Sequence, residues 1–209
     1  MHAARRTLPR KRAKQDRAKA TVEAILTAAA HILVREGFDA ANTNRIAEKA
    51  GVSIGSLYQY FPGKEAVVAA LLERHVRQML RTAEHGLERS TANTLRGRAR
   101  EMVRTMLDAH AVEPGLHRVF MEEMPRFGQL QEVVELERMF EEVARRHMER
   151  ERSALRPRNL EIAAFVVVQA VEALTHAAVL HRPDMLRSEA FVDEVTELIV
   201  RYLARDRAA

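Results

Sequence analysis

An all-α fold is what this sequence predicts, and three observations predict it. Apolar residues recur at three- and four-residue intervals through almost every stretch after about residue 15. Valine is common, yet the period-two alternation of a half-buried strand does not occur. The 8 glycines and 6 prolines of the 209 residues fall at the boundaries of the periodic stretches and not at hairpin spacing. The pattern implies an N-terminal group of three helices followed by a larger helical domain, about nine helices in all.

The elements follow in order. A first helix is predicted from about Arg17 to Glu36, with Ile25, Ala28, Ala29, Ile32 and Leu33 on one face and Gly37 as its left-handed terminator. A short helix spans about Asn44–Ala50, capped by Thr43 and buried through Ile46 and Ala47. Gly51-Val52-Ser53 breaks it, a second short helix covers Ile54–Tyr60, and Pro62-Gly63 interrupts the chain. A long helix from Lys64 to about Arg89 carries Val67, Val68, Leu71, Leu72, Val76 and Leu80 at helical spacing. Further helices are expected near 94–112, 114–123, 128–152, 158–181 and 188–205, punctuated by Pro114-Gly115, Pro125 to Gly128, Pro157 and Pro183. Three regions result: a flexible basic arm (1–16), a small basic domain (17–65) and a helical domain (66–209), with the long helix joining the last two.

Charge distinguishes these regions. Residues 1–63 hold 11 Lys/Arg against 5 Asp/Glu, whereas residues 64–209 hold 23 against 24, so the whole excess positive charge lies at the N-terminal end. The first twenty residues carry eight basic side chains (Arg5, Arg6, Arg10, Lys11, Arg12, Lys14, Arg17, Lys19) and one acid, Asp16. Such an arm on a compact domain is the footprint of a polyanion binder; a solubilising tail has the same composition. Hydrophobic residues at 47% and charged residues at 30% fit a globular chain.

Several function classes find no support. With no cysteine there is no disulfide, thiolate metal site or cysteine nucleophile. The longest uninterrupted apolar run, Ile162 to Val168, is too short to cross a bilayer, so no membrane partner is expected. No apolar segment follows the basic start, and a cytoplasmic location is expected. The sequence has no GxSxG, phosphate loop or HExxH, and its nine histidines show no metal spacing, so neither enzyme, cofactor nor metal is expected.

The informative segment is Thr43 to Lys64, TNRIAEKAGVSIGSLYQYFPGK. Two short helices meet at Ala50-Gly51-Val52-Ser53, where Gly51 tolerates positive φ, Val52 fills the corner and Ser53 caps the second helix. Ile46, Ala47, Val52, Leu57 and Phe61 supply a buried seam, leaving Asn44, Ile54, Gly55, Ser56, Tyr58, Gln59 and Tyr60 to face outward. Tyrosines and small residues without an acid suit phosphates and base edges. Tyr58 and Tyr60 taken alone fit a partly buried core equally well.

At this point the sequence resembles the TetR family of helix-turn-helix transcriptional regulators. The likeness rests on Ile25-Leu26-Thr27-Ala28-Ala29, Gly37-Phe38, Thr43, Ile46-Ala47, Ala50-Gly51-Val52-Ser53, Gly55, Leu57-Tyr58, Tyr60-Phe61 and Lys64-Glu65, over about residues 17–72. Gly63 and Tyr60 depart from the family's more usual residues. The resemblance implies that Thr43, Tyr58, Tyr60 and Lys64 hold phosphates, while Asn44, Ile54, Gly55 and Ser56 lie at the major groove, with Ser53 and Gln59 beside them. It implies a double-stranded DNA operator as partner, and a C-terminal domain that forms a homodimer and encloses a small apolar or amphipathic ligand.

Residues for both roles can be named. A dimer face would use Ile162, Val166, Ala170, Ala173, Ala177 and Leu180 with Phe191, Val195, Leu198, Ile199 and Tyr202; the same faces could instead fill a monomer core. A ligand cavity would draw on Met102, Met106, His110, Phe120, Met124, Phe127, Phe140, Phe165, Gln169, Glu172 and His176; methionines and phenylalanines at this spacing also make ordinary core. The function implied is a repressor released by a small molecule. The alternatives are a regulator without a small-molecule inducer (an activator or a protein-responsive switch) and, from another class, a helical enzyme.

The arm yields the first prediction. Deleting residues 1–14 removes six cations. DNA binding should weaken, and the dependence of log K on log salt should flatten by about 0.9 for every phosphate no longer neutralised. Binding titrations across a salt series measure this, and an unchanged slope would leave the arm as a solubilising tail.

Overall fold

The computed structural model describes residues 10–89, 91–127 and 131–205. Nine α-helices run through these residues: α1 (Arg10–Glu36), α2 (Thr43–Ala50), α3 (Ile54–Tyr60), α4 (Lys64–Glu88), α5 (Leu95–His110), α6 (Pro114–Phe127), α7 (Gln131–Arg150), α8 (Leu160–His181) and α9 (Glu189–Leu203). Short 3-10 turns at Arg152–Ala154 and Pro183–Arg187 precede α8 and α9. Extended pairing among the described residues is confined to an isolated bridge between Leu155 and Ala204. The chain divides into two compact units, Met1–Leu72 and Glu73–Ala209, and the division falls within α4.

In the first unit α1 packs on α2 and α2 on α3. Most of the predicted seam is buried: Ile25, Ala28, Ala29, Ile32 and Leu33 from α1, Ile46 and Ala47 from α2, then Leu57 and Phe61, while Val52 in the turn is only half-buried. Helix α1 begins earlier than the periodicity implied. Arg10–Asp16, read as flexible arm, form its first turns, because Arg, Lys, Ala and Gln are good helix formers and no Gly or Pro interrupts Arg10–Glu36. Residues 1–9 of the arm lie outside the described residues. The cap of α2 is Asn42 and not Thr43: the Asn42 side chain accepts the Arg45 N–H at 3.0 Å, and Thr43 is the first helical residue. Both residue types cap well, and the extended backbone of Asn42 decides between them.

The second unit is organised around α8, which packs against α5, α6, α7 and α9. Ala163, Ala164, Val167, Val168, Val171, Thr175, Ala178 and Val179 form its buried face. Small and β-branched side chains allow close helix approach. From the facing elements Val103, Leu107, Ala144, Val192, Val195, Ile199 and Leu203 join the same core. The segment after α7 is tied to the end of α9, where the Arg156 N–H donates to the Leu203 carbonyl at 2.8 Å and the Arg205 N–H to that of Ala154 at 3.0 Å. Helix α6 runs on to Phe127, past Pro125, which sits in its last turn.

The longest uninterrupted apolar run understates one helix of the larger unit. An 18-residue window of Leu160–His181 has a mean hydropathy of 1.8, so α8 is long and apolar enough to cross a bilayer by length and composition. Uninterrupted apolar runs do not reveal it because Gln169 and Glu172 divide the stretch. Packing against four other helices accounts for the apolar residues of its inner face, and 44% of the apolar window is buried; Ile162, Phe165 and Val166 on the other face stay exposed.

Helices α4 and α5 meet at Gly86. A Cβ built there would lie 2.5 Å from Thr105 Oγ1 and 2.8 Å from its Cγ2, closer than packed atoms tolerate. Gly86→Ala should therefore destabilise the protein by about 1–3 kcal/mol despite alanine's better helix propensity. Adding Thr105→Ala should recover most of that loss. Urea unfolding of the single and double variants measures the coupling; simple additivity would contradict the contact.

Candidate nucleic-acid interface

The turn between α2 and α3 sets the geometry of the basic unit. Gly51 holds φ at 68°, a left-handed conformation in which its N–H closes α2 on the carbonyls of Ala47 and Glu48. Ser53 then caps α3, accepting the Ser56 N–H at 3.1 Å while its own hydroxyl donates to Ser56 Oγ at 3.0 Å. Only Leu57 of α3 is buried. Ile54, Gly55, Tyr58, Gln59 and Tyr60 are exposed, Tyr58 by 53%, together with Asn44 and Ser53; Ser56 is half-buried. Neither tyrosine is thus a core residue, though Tyr60, 38% exposed, is more covered than Tyr58. The exposed face of α3 carries no acid.

Glycine is dispensable to the fold at position 55. A Cβ there would meet nothing nearer than Ser53 Oγ at 4.0 Å, and its φ is not positive. A glycine in a short helix that neither turn nor packing requires leaves the backbone open to close approach from outside.

The flanking groups form local contacts. The Thr43 and Tyr58 hydroxyls lie 3.2 Å apart, which places one polar group of α2 beside one of α3. Lys64, half-buried at the start of α4, donates to the Phe38 carbonyl at 2.9 Å, with its ammonium 3.7 Å from the Phe38 ring centroid. An ammonium has three protons, so this contact holds the charge in place and leaves two for other acceptors. Arg45 is paired with Glu36.

In the second unit a cavity of about 210 Å³ opens between α4, α5, α7, α8 and α9. Its wall is mostly apolar, including Leu95, Met102, Phe140, Met148, Val167 and Leu203, with the Arg98–Glu151 ion pair, Glu101, Thr105 and His147 as polar groups. Of the residues assigned to a ligand, Met102 and Phe140 line this space. Met106, His110 and Phe120 are buried elsewhere, and Gln169, Glu172 and His176 are half-buried away from it. Phe165 is 53% exposed on the outer side of α8, so the ligand assignment fails there: it lies on the stripe opposite the buried face. The side chains of Met124 and Phe127 lie outside the described residues. Sequence reasoning missed Arg98, Thr105, His147 and Glu151, since polar residues at helical spacing read as solvated surface.

The dimer assignments divide similarly. Ile162 (57% exposed), Val166 and Leu198 are exposed large apolar side chains, and Phe165 belongs with them. Ala173 and Ala177 are exposed, while Ala170, Leu180, Phe191 and Tyr202 are half-buried. Val195 and Ile199 are buried in the unit's own core, which corrects their assignment to an outer face. They sit three and one positions from Leu198, and periodicity alone does not show which side of α9 turns inward.

A cluster that local spacing did not reveal lies in the same unit. His75, His110, His117 and His176, one each from α4, α5, α6 and α8, bring their rings together with neighbouring centroids 4.6–5.3 Å apart. Burial pushes all four imidazoles below their usual pKa, to about 4 for His75 and about 3 for His110. They are therefore neutral near pH 7.

Two family models match the chain: the tetR family of bacterial regulatory proteins over residues 25–71, and the tetracyclin repressor-like C-terminal domain over residues 94–203. The transcriptional activator FasR of Mycolicibacterium smegmatis is 39% identical over 75 residues, 36% of this chain and 34% of that protein. The nucleoid occlusion factor SlmA of Haemophilus influenzae is 35% identical over 96 residues, 46% of this chain and 43% of its own. The chain thus matches less than half the length of these relatives. Among solved structures, a TetR family transcription regulator from Marinobacter aquaeolei superposes with a TM-score of 0.66 at 17% identity, covering 91% of this chain and 98% of its own. A tetR-family regulatory protein from Rhodococcus gives 0.67 at 19% identity, covering 90% and 98%. At these identities the likeness is one of fold.

The two glycines of the motif should respond oppositely to alanine. Gly51→Ala forces a side chain into the left-handed region and should cost about 1–2 kcal/mol. Gly55→Ala should leave stability unchanged or raise it by up to about 1 kcal/mol through helix propensity. Thermal unfolding compares them, and equal losses would mean that the fold itself demands Gly55.

Proposed function

The chain belongs to the TetR family of bacterial transcriptional regulators, and on that premise we propose that it is a repressor that binds a palindromic operator as a homodimer and is released by a small apolar or amphipathic ligand. The observation that carries the DNA reading is the acid-free, exposed face of α3, capped by Ser53 and presented by the Gly51 turn. In helix-turn-helix docking the N-terminal residues of such a helix meet base edges in the major groove. Ile54, Gly55 and Ser56 take that role, with Asn44, Ser53 and Gln59 alongside. Ser56 Oγ accepts from Ser53 and keeps its own proton for a base acceptor. Thr43, Tyr58, Tyr60 and Lys64 hold phosphates, Lys64 from the site where Phe38 positions it.

The homodimer reading is supported by the exposed apolar side chains Ile162, Phe165, Val166 and Leu198 on α8 and α9. An exposed stripe of this kind calls for a partner, and a two-fold partner sets two recognition helices on successive turns of the duplex, about 34 Å apart. The effector reading is supported by the apolar 210 Å³ cavity, whose few polar groups suit a small molecule with one polar end. The location follows from the partner: such a regulator works where the DNA is, in the bacterial cytoplasm. A relative named as an activator favours a second reading in which the bound protein raises transcription, and a reporter behind the operator distinguishes the two by sign.

Base-reading and phosphate-holding residues should fail differently. With an operator selected from random duplexes, Ser56→Ala or Gly55→Leu should cost about 1–3 kcal/mol of preference over scrambled DNA for each base edge no longer read. Tyr60→Phe should weaken operator and scrambled DNA alike, because phosphates carry no base identity. Paired titrations at one salt concentration measure both. An equal fall in specificity in the two sets would refute this assignment of faces.

A further inference from the structure

We propose that His110, His117 and His176 form a binding site for one divalent transition-metal ion of the Zn²⁺ class, with Glu172 beside it and His75 orienting one of the ligands. Each of the three histidines offers one ring nitrogen, and these atoms lie within 4.8 Å of one another. Tetrahedral ligation at about 2.0–2.1 Å places ligand nitrogens about 3.4 Å apart, so closure on an ion asks for ring movements of about 1 Å or less. None of the four histidines lines the 210 Å³ cavity, so this is a separate site.

The hydrogen bonds prepare the rings for this role. His110 Nδ1 lies 2.8 Å from the Met106 carbonyl and must carry the proton there, which leaves Nε2 as its lone-pair atom. His117 Nε2 is buried without a hydrogen-bond partner, while Nδ1 of the same ring lies 3.0 Å from His75 Nε2. If His117 Nδ1 donates that bond, Nε2 bears a lone pair and His75 carries its proton on Nδ1, 3.7 Å from Glu113 Oε2, a charge contact longer than a hydrogen bond. An outer partner such as His75 is how proteins fix the tautomer of a metal-binding imidazole, and the nearby Glu113 carboxylate favours the same arrangement of protons. A buried nitrogen left unpaired costs free energy in an apo core, and an ion supplies its partner.

The chemistry of the donors selects the ion. Neutral imidazoles bind Zn²⁺, Co²⁺, Ni²⁺ or Cu²⁺, whereas Mg²⁺ and Ca²⁺ need a cage of oxygens that is lacking among the described residues here. Glu172 lies four residues before His176, with Oε1 3.8 Å from His176 Nε2. Burial, then the Glu137 and Glu141 carboxylates, raise its pKa to about 7.

The test uses the full chain stripped with a chelator and titrated with Co²⁺. The expected result is the intense visible absorption of four-coordinate Co²⁺ saturating at one ion per chain and bleached by one equivalent of Zn²⁺. His176→Ala, the least buried of the three, should keep the fold by circular dichroism and lose the spectrum. Glu113→Gln, which removes the negative charge beside His75 Nδ1, should weaken Co²⁺ binding by up to about 10-fold. Should His176→Ala perturb the fold, His176→Gln carries the same expectation. A weak octahedral spectrum in the unmodified protein, or undiminished Co²⁺ affinity in the His176 variants, would overturn the proposal. Neither readout involves DNA, so failure here leaves the operator reading standing.

Discussion

A long apolar helix has to bury one whole face against its neighbours, and α8 imposes that requirement on the larger unit. Four helices pack on it, and they approach closely because its inner face is built from Ala and Val. The features with chemical consequence all include this one helix. Val167 forms part of the cavity wall, His176 enters the histidine cluster, and Ile162, Phe165 and Val166 make the exposed stripe. Among the described residues nothing covers that stripe. The same burial that stabilises α8 strips water from His110, His117 and Glu172, and this sets their protonation.

The smaller unit depends on a different constraint. Its two motif helices are too short to hold themselves in water, so their direction is set by termini and by a few buried side chains. Gly51 in the left-handed region reverses the chain, Ser53 starts α3, and Leu57 pins that helix through a single buried position. A helix held by one inward residue presents most of its surface outward. Lys64 and Phe38 close the motif from the far side, joining the start of α4 to the loop after α1.

The larger helices and the turn residues were legible in the sequence because both depend on local chemistry. Periodicity identifies a helix whatever it packs against, and Gly37 and Gly51 adopt positive φ as their positions implied. Local rules failed where two residues satisfied the same rule, as Asn42 and Thr43 did for a cap. They failed also where the helix-forming composition of Arg10–Asp16 was outweighed in the reading by its charge. Most of the outward residues of α3 were identified correctly because an amphipathic seven-residue helix has only one apolar side to bury.

What the sequence by itself determined is the all-α fold, the helix-turn-helix with its exposed acid-free face, and the concentration of positive charge at one end. These follow from periods, caps and composition, which act over a few residues. Only the tertiary structure decided which side of an all-apolar helix faces in. It turned Val195 and Ile199 into core, left Phe165 outside, and walled the cavity with Arg98 and Glu151. It alone brought His75, His110, His117 and His176 together. Their meeting depends on how four separate helices pack, and packing geometry leaves no trace in the spacing of residues along one chain.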